Sequence, residues 1–394
     1  MNYILFDDVH RDDLLPLTFL RPIADIRVGI LTIREKWEHY LGTGTSSLTE
    51  PYLSIKYPVI RGANNILING SILPNPELVE KIQALHPGQV MIREDVLVAY
   101  HLTAEELDRN VKSGELEEVS IDTAFDKINY CWDIFNLNSI ALIHDFGILT
   151  KGKTSAAISS SNNIIGRENI FIEEGAVVEF ASLNASQGPI YIGRHTEIME
   201  GSLVRGPFAM LDHSVLKMGT KIYGGTTIGP HCKIGGEVNN SVFFGYSNKA
   251  HDGFIGHSVI AEWCNLGANT NNSNLKNTYD VVRVWNYPDQ SFINTNLQFC
   301  GMIMGDHSKT GISTMINTGT VIGVFANVFG TGFPRNFIPS FSWGGASGFQ
   351  TYDLIKAIHV ATLVMKRRNM ELTPEDENIL QEVFYLTFPY RREH

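Results

Sequence analysis

Apolar residues recur at every sixth position from Ile192 to Ile234: Ile192, Ile198, Val204, Met210, Leu216, Ile222, Ile228 and Ile234. A helix repeats its apolar face every three or four residues and a strand every two. A six-residue period predicts a coil of short strands joined by tight corners, with one plug per side pointing inward. Glycine follows three of the plugs, at Gly193, Gly229 and Gly235, where a corner calls for a residue without a Cβ. The period returns at Met304, Thr310, Ile316, Ile322 and Val328, and a weaker copy precedes it at Ile165, Phe171 and Val177. The coil is therefore predicted over about 158–334. Between the two clean runs the period breaks, and the break is rich in polar residues.

Outside the coil the pattern is mixed. Residues 2–6 read as a buried first strand, 26–40 as an amphipathic helix with Ile30, Ile33 and Trp37 on one face, and 64–69 as a strand. A short helix over 76–85, a strand pair over 89–100 and a helical connector over 128–146 follow. Alternating strands and helices predict an α/β domain. The small, polar stretch 151–161 marks its end. Beyond the coil, 342–345 reads as a turn and 352–369 as a helix. Thr373 and Pro374 open a second helix as N-cap and first residue. The expected organisation is an α/β domain with its connector over 1–150, the coil over 151–341 and a helical segment over 342–394.

Composition narrows the partners. Lysine and arginine number 31 against 42 acidic residues, a net charge of -11. Such a balance opposes binding to nucleic acid or an anionic membrane, while leaving room for local basic pockets. The scattered Cys131, Cys232, Cys264 and Cys300 form no CxxC pair and read as packed, reduced thiols. There is no basic and apolar leader at the start and no apolar run of membrane-spanning length, so a cytoplasmic location is expected.

Two stretches carry a resemblance. Arg11-Asp-Asp-Leu-Leu-Pro-Leu-Thr-Phe-Leu-Arg21-Pro22 is similar to the end of the signature of sugar-1-phosphate nucleotidylyltransferases. In that family a glycine-rich loop lets backbone N–H groups approach nucleotide phosphates, and Arg11 and Arg21 match the basic residues that neutralise them. Asp7, Asp8, Val9 and His10 stand where the glycines belong. Carboxylates there oppose a triphosphate unless a divalent metal such as Mg²⁺ intervenes. The other reading is a packing motif that has lost its chemistry.

The hexapeptide repeats resemble the left-handed parallel β-helix acyltransferases. Within the break, Ser247-Asn248-Lys249-Ala250-His251-Asp252-Gly253-Phe254, then Asn265-Leu-Gly-Ala268-Asn-Thr270 and Asn274-Leu-Lys276, resemble the acetyltransferase half of the bifunctional enzyme that makes UDP-N-acetylglucosamine, the archaeal type especially. An α/β nucleotidylyltransferase-like domain followed by a left-handed parallel β-helix is that family's architecture. The resemblance implies His251 as general base toward the amine of an amino sugar, with Asn265 beside it in the catalytic set. It implies Asn274, Glu237, Lys249 and Lys276 as sugar-phosphate contacts. Ala268 would offer its N–H to the thioester oxyanion, Gly330 would let the pantetheine arm pass, and Arg335 would meet the CoA phosphates. It also implies acetyl-CoA as co-substrate and a homotrimer with sites between subunits; the remaining histidines show no metal-ligand spacing, so no bound metal is expected.

Departures from the family pattern accompany the matches. Met210 stands where the bacterial family has an arginine, Asn239 near its lysine and Phe254 at its tyrosine. Three function classes remain open on sequence. One is an N-acetyltransferase acting on glucosamine-1-phosphate or a related amino-sugar phosphate, with or without transfer from UTP. The second is a nucleotidylyltransferase on an oligomerising coil. The third is a non-catalytic sugar-nucleotide-binding protein.

Overall fold

In the computed structural model, which describes residues 1–109, 111 and 113–391, the apolar run at the start forms strand β1 (Asn2–Phe6). Ile4 and Phe6, two apart, share one face of a sheet and pack with Leu67 and Leu102. The sheet adds β2 (Ser46–Leu48), β3 (Asn64–Asn69), β4 (Gln89–Arg93), β5 (Val96–Thr103) and β6 (Glu117–Ser120), in the order β2-β1-β3-β5-β4-β6. β1 runs parallel to β2 and β3, whereas β5 is antiparallel to β3 and β4. Helices α1 (Ile33–Leu41), α2 (Pro76–Gln83) and α3 (Ala104–Asp108) connect the strands.

α1 begins later than the periodicity predicts. Gly29 holds φ +83, with Asp145 and Ala141 so close that a Cβ would clash, so no helix can run through it. Thr32 then opens α1 through a capping box with Glu35. Trp37 is fully buried, and its indole N–H donates to Ile72 O at 2.9 Å. Removing that ring would cost about 3–5 kcal/mol.

The coil follows the six-residue period. It has three parallel faces, and each plug stacks on the one a turn below. Face A begins Asn163–Ile165, Ser182–Asn184, Leu203–Arg205 and continues to Phe254–Gly256. Face B runs from Ile170–Ile172 to Phe337–Ile338, and face C from Val177–Val178 to Ser342–Gly345. Ile192, Met210 and Ile228 succeed one another on face B, and Ile198, Leu216 and Ile234 on face C. All six are essentially inaccessible to solvent. Gly229 is required at its corner, since a Cβ would lie 2.0 Å from Phe244 O.

The polar break does not interrupt the coil. Val238, Phe243, Lys249, Ile255, Ile260 and Leu266 keep the inward places, but the corners between them are shorter, so the spacing leaves six. The true excursion is residues 273–301, which carry an antiparallel hairpin of Arg283–Asn286 and Ser291–Asn294. Residues 342–345 are not a turn: Trp343 pairs with Asn327 as the last rung of face C, and Gly348–Thr351 folds back on it.

The corner between faces B and C bears a ladder of rings. His195, His213, His231, Tyr246, Trp263, His307, Phe325 and Phe341 stack turn upon turn, with centroids 4.3 to 6.1 Å apart. Each holds a left-handed φ, from 53° to 62°. That conformation costs about 1–2 kcal/mol per non-glycine residue, and ring stacking offsets part of it at about 0.5–1.5 kcal/mol per pair.

Two compact units result. One comprises Met1–Leu14, Leu20–Ile26 and Leu31–Tyr130, and the other comprises Leu15–Phe19, Arg27–Ile30 and the chain from Cys131 onward. Helix α4 (Asp133–Thr150) thus counts with the coil. Its Asn138 amide donates to Gly225 O and Thr227 Oγ1, and its Leu142 packs with Phe171, Tyr191 and Ala209 on face B. Helices α5 (Leu354–Lys366) and α6 (Pro374–Leu386) close the chain, the latter capped by Thr373 as the sequence predicts. All four cysteines are free and buried. Among the described residues, no helix is long and apolar enough to cross a membrane.

Candidate active site on the coil

His251 lies on the corner where face C passes into face A, between Asn248–Lys249 and Phe254–Gly256. Strand register places His251, Ala268, Ile312 and Gly330 one above another on successive turns. His251 is exposed, and its ring makes no hydrogen bond to a described residue. It opens on a cleft with Met218, Gly236, Asp252, Ala268 and Asn269. The Ala268 N–H is likewise unpartnered among the described residues, while its carbonyl accepts from Ser313 N. Gly330, at φ +102, has open space around it. Ile312 was passed over by the sequence reading, yet it is 76% exposed within this column.

Lys249 requires a correction. Expected to reach a sugar phosphate, it instead fills an inward place above Ile234 and is 1% exposed. Its ammonium donates to Gly235 O at 2.9 Å and His251 O at 2.7 Å. Burial pushes its pKa down to about 8, against the pull of Asp252. As placed, it fastens the corner that bears His251 and offers nothing to a ligand.

The other expected residues are dispersed. Asn265 is exposed on face C and lines a separate cavity with Lys233 and Lys309, which shares only Ala250 with the His251 cleft. Glu237 stands on face A in register with Lys221 and Phe254. Asn274 lies beyond the far end of face A, its Nδ2 2.9 Å from His257 Nδ1. His257 packs edge-on to Phe135 and is stacked by Phe299 at 5.1 Å. Burial lowers its pKa to about 4, so near neutrality the imidazole is uncharged and accepts from the amide. Nothing in the sequence marks His257, because its partners come from α4 and from the excursion.

Lys276 and Arg335, expected on different ligands, share one cavity of about 710 Å³ with Arg283, Trp285 and Phe337. Lys276 Nζ donates to Val281 O at 2.7 Å, and the Arg335 guanidinium lies 5.6 Å over Phe349. Trp285 and Phe337 stack at 4.2 Å.

In the first unit the residues expected to meet a nucleotide are occupied. Asp7 accepts from Ile23 N and Thr49 Oγ1 and pairs with Arg11 Nε at 3.2 Å. Burial raises the Asp7 pKa against those bonds. Burial also works against ionisation of Asp8, but Lys127 at 2.9 Å and the Asn69 amide outweigh it and hold the pKa low. Arg11 further engages Asp12 at 3.1 Å and Tyr52 Oη at 3.0 Å, and Arg21 is buried. Among the described residues no group of three or more His, Cys, Asp or Glu is placed to hold a metal. The carboxylates at the end of β1 are already held by cations and amides, so this arrangement does not fit a bound Mg²⁺.

Comparison with known proteins matches both halves of the chain. Residues 3–154 match the sugar nucleotidyl transferase family. The bifunctional protein GlmU of Methanocaldococcus jannaschii is 27% identical over 257 residues, 63% of this chain and 51% of the relative. A bifunctional sugar-1-phosphate nucleotidylyltransferase/acetyltransferase of Sulfurisphaera tokodaii is 35% identical over 99 residues, 25% of this chain and 24% of that one. The structure of an Arabidopsis UDP-N-acetylglucosamine acyltransferase covers 54% of this chain and 80% of its own, at 15% identity and a TM-score of 0.25. The chain spans about half the length of the curated relatives first matched. With a segment that matches the sugar nucleotidyl transferase family at its start and a parallel hexapeptide coil behind it, the chain is similar to the bifunctional GlmU-like proteins.

Proposed function

We propose that the coil is an acetyl-CoA-dependent N-acetyltransferase acting on glucosamine-1-phosphate or a related amino-sugar phosphate. The observation that carries this reading is the corner itself: an exposed imidazole at His251 one turn from the N–H of Ala268, both without a hydrogen-bond partner among the described residues. In the reaction the acceptor amine attacks the thioester carbonyl of acetyl-CoA. The neutral His251 ring takes the amine's proton as the C–N bond forms. The Ala268 N–H donates to the oxyanion of the tetrahedral intermediate. Collapse breaks the C–S bond, and the departing thiolate takes a proton to leave as CoA. The exposed Met218 and Ile312 beside the corner suit the apolar part of the pantetheine arm.

Within one chain Asn265 and Asn274 open elsewhere, which favours a site completed by a neighbouring copy in a homotrimer. The UTP-dependent reaction draws no such support, because Asp7, Asp8 and Arg11 are held by internal partners. For residues 1–130 a non-catalytic role is the better reading.

The test follows free-thiol release from acetyl-CoA with glucosamine-1-phosphate as acceptor, for the full chain and for His251→Ala. Turnover that collapses in the variant supports the proposal. Turnover indifferent to it removes His251 as the base, and the absence of turnover with an intact oligomer removes this acceptor.

A further inference from the structure

Beside the His251 corner, face C and helix α5 enclose a cavity of about 520 Å³. That volume lies within the range of small-molecule sites, about 300–1,000 Å³. Four cationic side chains line it: Lys233 and Lys309 from the coil, Arg367 and Arg368 from the end of α5. Two amides, Asn248 and Asn265, join them, and no carboxylate lines the cavity. In a chain of net charge -11 such a concentration of one sign runs against the overall balance.

The cations have not been neutralised within the fold. Among the described residues none of the four meets a carboxylate. Lys233 and Arg367 make no side-chain hydrogen bond there at all. Arg368 uses one nitrogen, donating to His231 O at 3.1 Å and to Asn248 Oδ1 at 3.3 Å. Lys309, half-buried, donates to His307 O at 2.9 Å and lies 5.8 Å from the Phe325 ring centroid, with no counter-charge among the described residues. Lys233 and Arg367 are exposed and Lys309 and Arg368 half-buried, so four like charges face one another across the cavity, and an anion entering it would offset their mutual repulsion. Two adjacent guanidinium groups also present the planar forks that match phosphate oxygens.

We propose that this cavity is an anion site for a small phosphorylated molecule carrying two or more negative charges, held by Lys233, Lys309, Arg367 and Arg368 beneath α5. Because Arg367 and Arg368 directly follow α5, occupancy would also tie the C-terminal helices to the coil. The site does not depend on acetyl transfer at His251.

Calorimetric titration of the full chain with inorganic pyrophosphate, without acetyl-CoA, tests it. The expected result is saturable binding that weakens at least tenfold in Lys233→Gln/Arg367→Gln, two side chains that make no hydrogen bond or ion pair among the described residues. That variant should keep its thermal midpoint, and His251→Ala should bind pyrophosphate as the parent does. Added pyrophosphate should raise the midpoint of the parent and not of the double variant. No binding at millimolar pyrophosphate, or binding unchanged by the double substitution, overturns the proposal. Because the readout is binding, a failure here leaves the acetyltransferase reading untouched, and the reverse also holds.

Discussion

The end of β1 and the corner at His251 are the two places where this chain gathers polar residues in a transferase context, and they are built in opposite ways. At the end of β1 the charges have found partners inside the fold: Asp7 with Arg11, Asp8 with Lys127, Arg11 with Asp12 and Tyr52. At the corner the imidazole of His251 and the N–H of Ala268 have none among the described residues. A group that must bind or exchange a proton with a substrate has to be left unsatisfied when no ligand is present. By that criterion the second region is the one open to a substrate.

The contrast breaks most sharply at His251. Replacing it by alanine should lower kcat for thiol release by about a hundred- to ten-thousand-fold. The thermal midpoint should hold, because the ring is exposed and unbonded. At β1 the balance should invert. Lys127→Met leaves the buried Asp8 carboxylate without its cation, a loss of about 3 kcal/mol in unfolding free energy, with acetyl transfer per folded molecule unchanged. Asp8 ionises more readily in the folded chain than unfolded. Its contribution is therefore present above the unfolded pKa and lost as pH falls through the folded one, and the variant should lack that acid-side loss. A variant equally stable at pH 7 would show the pair to be idle.

Lys249 sharpens the comparison, since it is a buried charge in the second region whose ammonium bonds to two carbonyls. Its pKa is about 8 in the fold and about 10.4 when unfolded. Between those values the unfolded chain binds more protons, so native stability rises as pH climbs from 8 toward 10 and falls back as pH drops through 8. The increment corresponds to about 3 kcal/mol. Lys249→Met should abolish it: denaturant unfolding at pH 7 and pH 10 should show the parent gaining on the variant by that order. A constant gap would mean that the amine is solvated.

The coil was legible because its plugs are aliphatic at a fixed spacing, and that signal failed where physics gave three plug positions a different occupant or spacing. Lys249 reads as a surface residue in any hydropathy pattern, and shortened corners move Phe243 and Ile255 off the six-residue count. The start of α1 was missed because Gly29 packs against Asp145 and Ala141, a contact more than a hundred positions away. His251 was legible through a motif of near neighbours. Its separation from Asn265 and Asn274 was not, because which side of the coil a residue faces depends on the exact length of each corner. The cations of the α5 cavity come from residues 233, 309, 367 and 368, and only the fold makes them one site.

Ile312 offers the finest test of the corner. It stands in the column between Ala268 and Gly330 and leaves 76% of its surface in water, which no packing role requires. If the column guides an acyl-pantetheine arm, an apolar side chain there gains contact area only when the co-substrate is bound, at roughly 25 cal/mol per Å². Ile312→Asp should then raise KM for acetyl-CoA about tenfold, a difference of about 1.4 kcal/mol, and leave KM for the amino-sugar phosphate where it was. Its effect on unfolding should stay within about 0.5 kcal/mol, as for an exposed position. A trimer that dissociates in the variant would instead assign Ile312 to the contact between copies. An unchanged KM with an intact trimer would move the acyl-CoA path off this column and leave His251 without the thioester that its position implies.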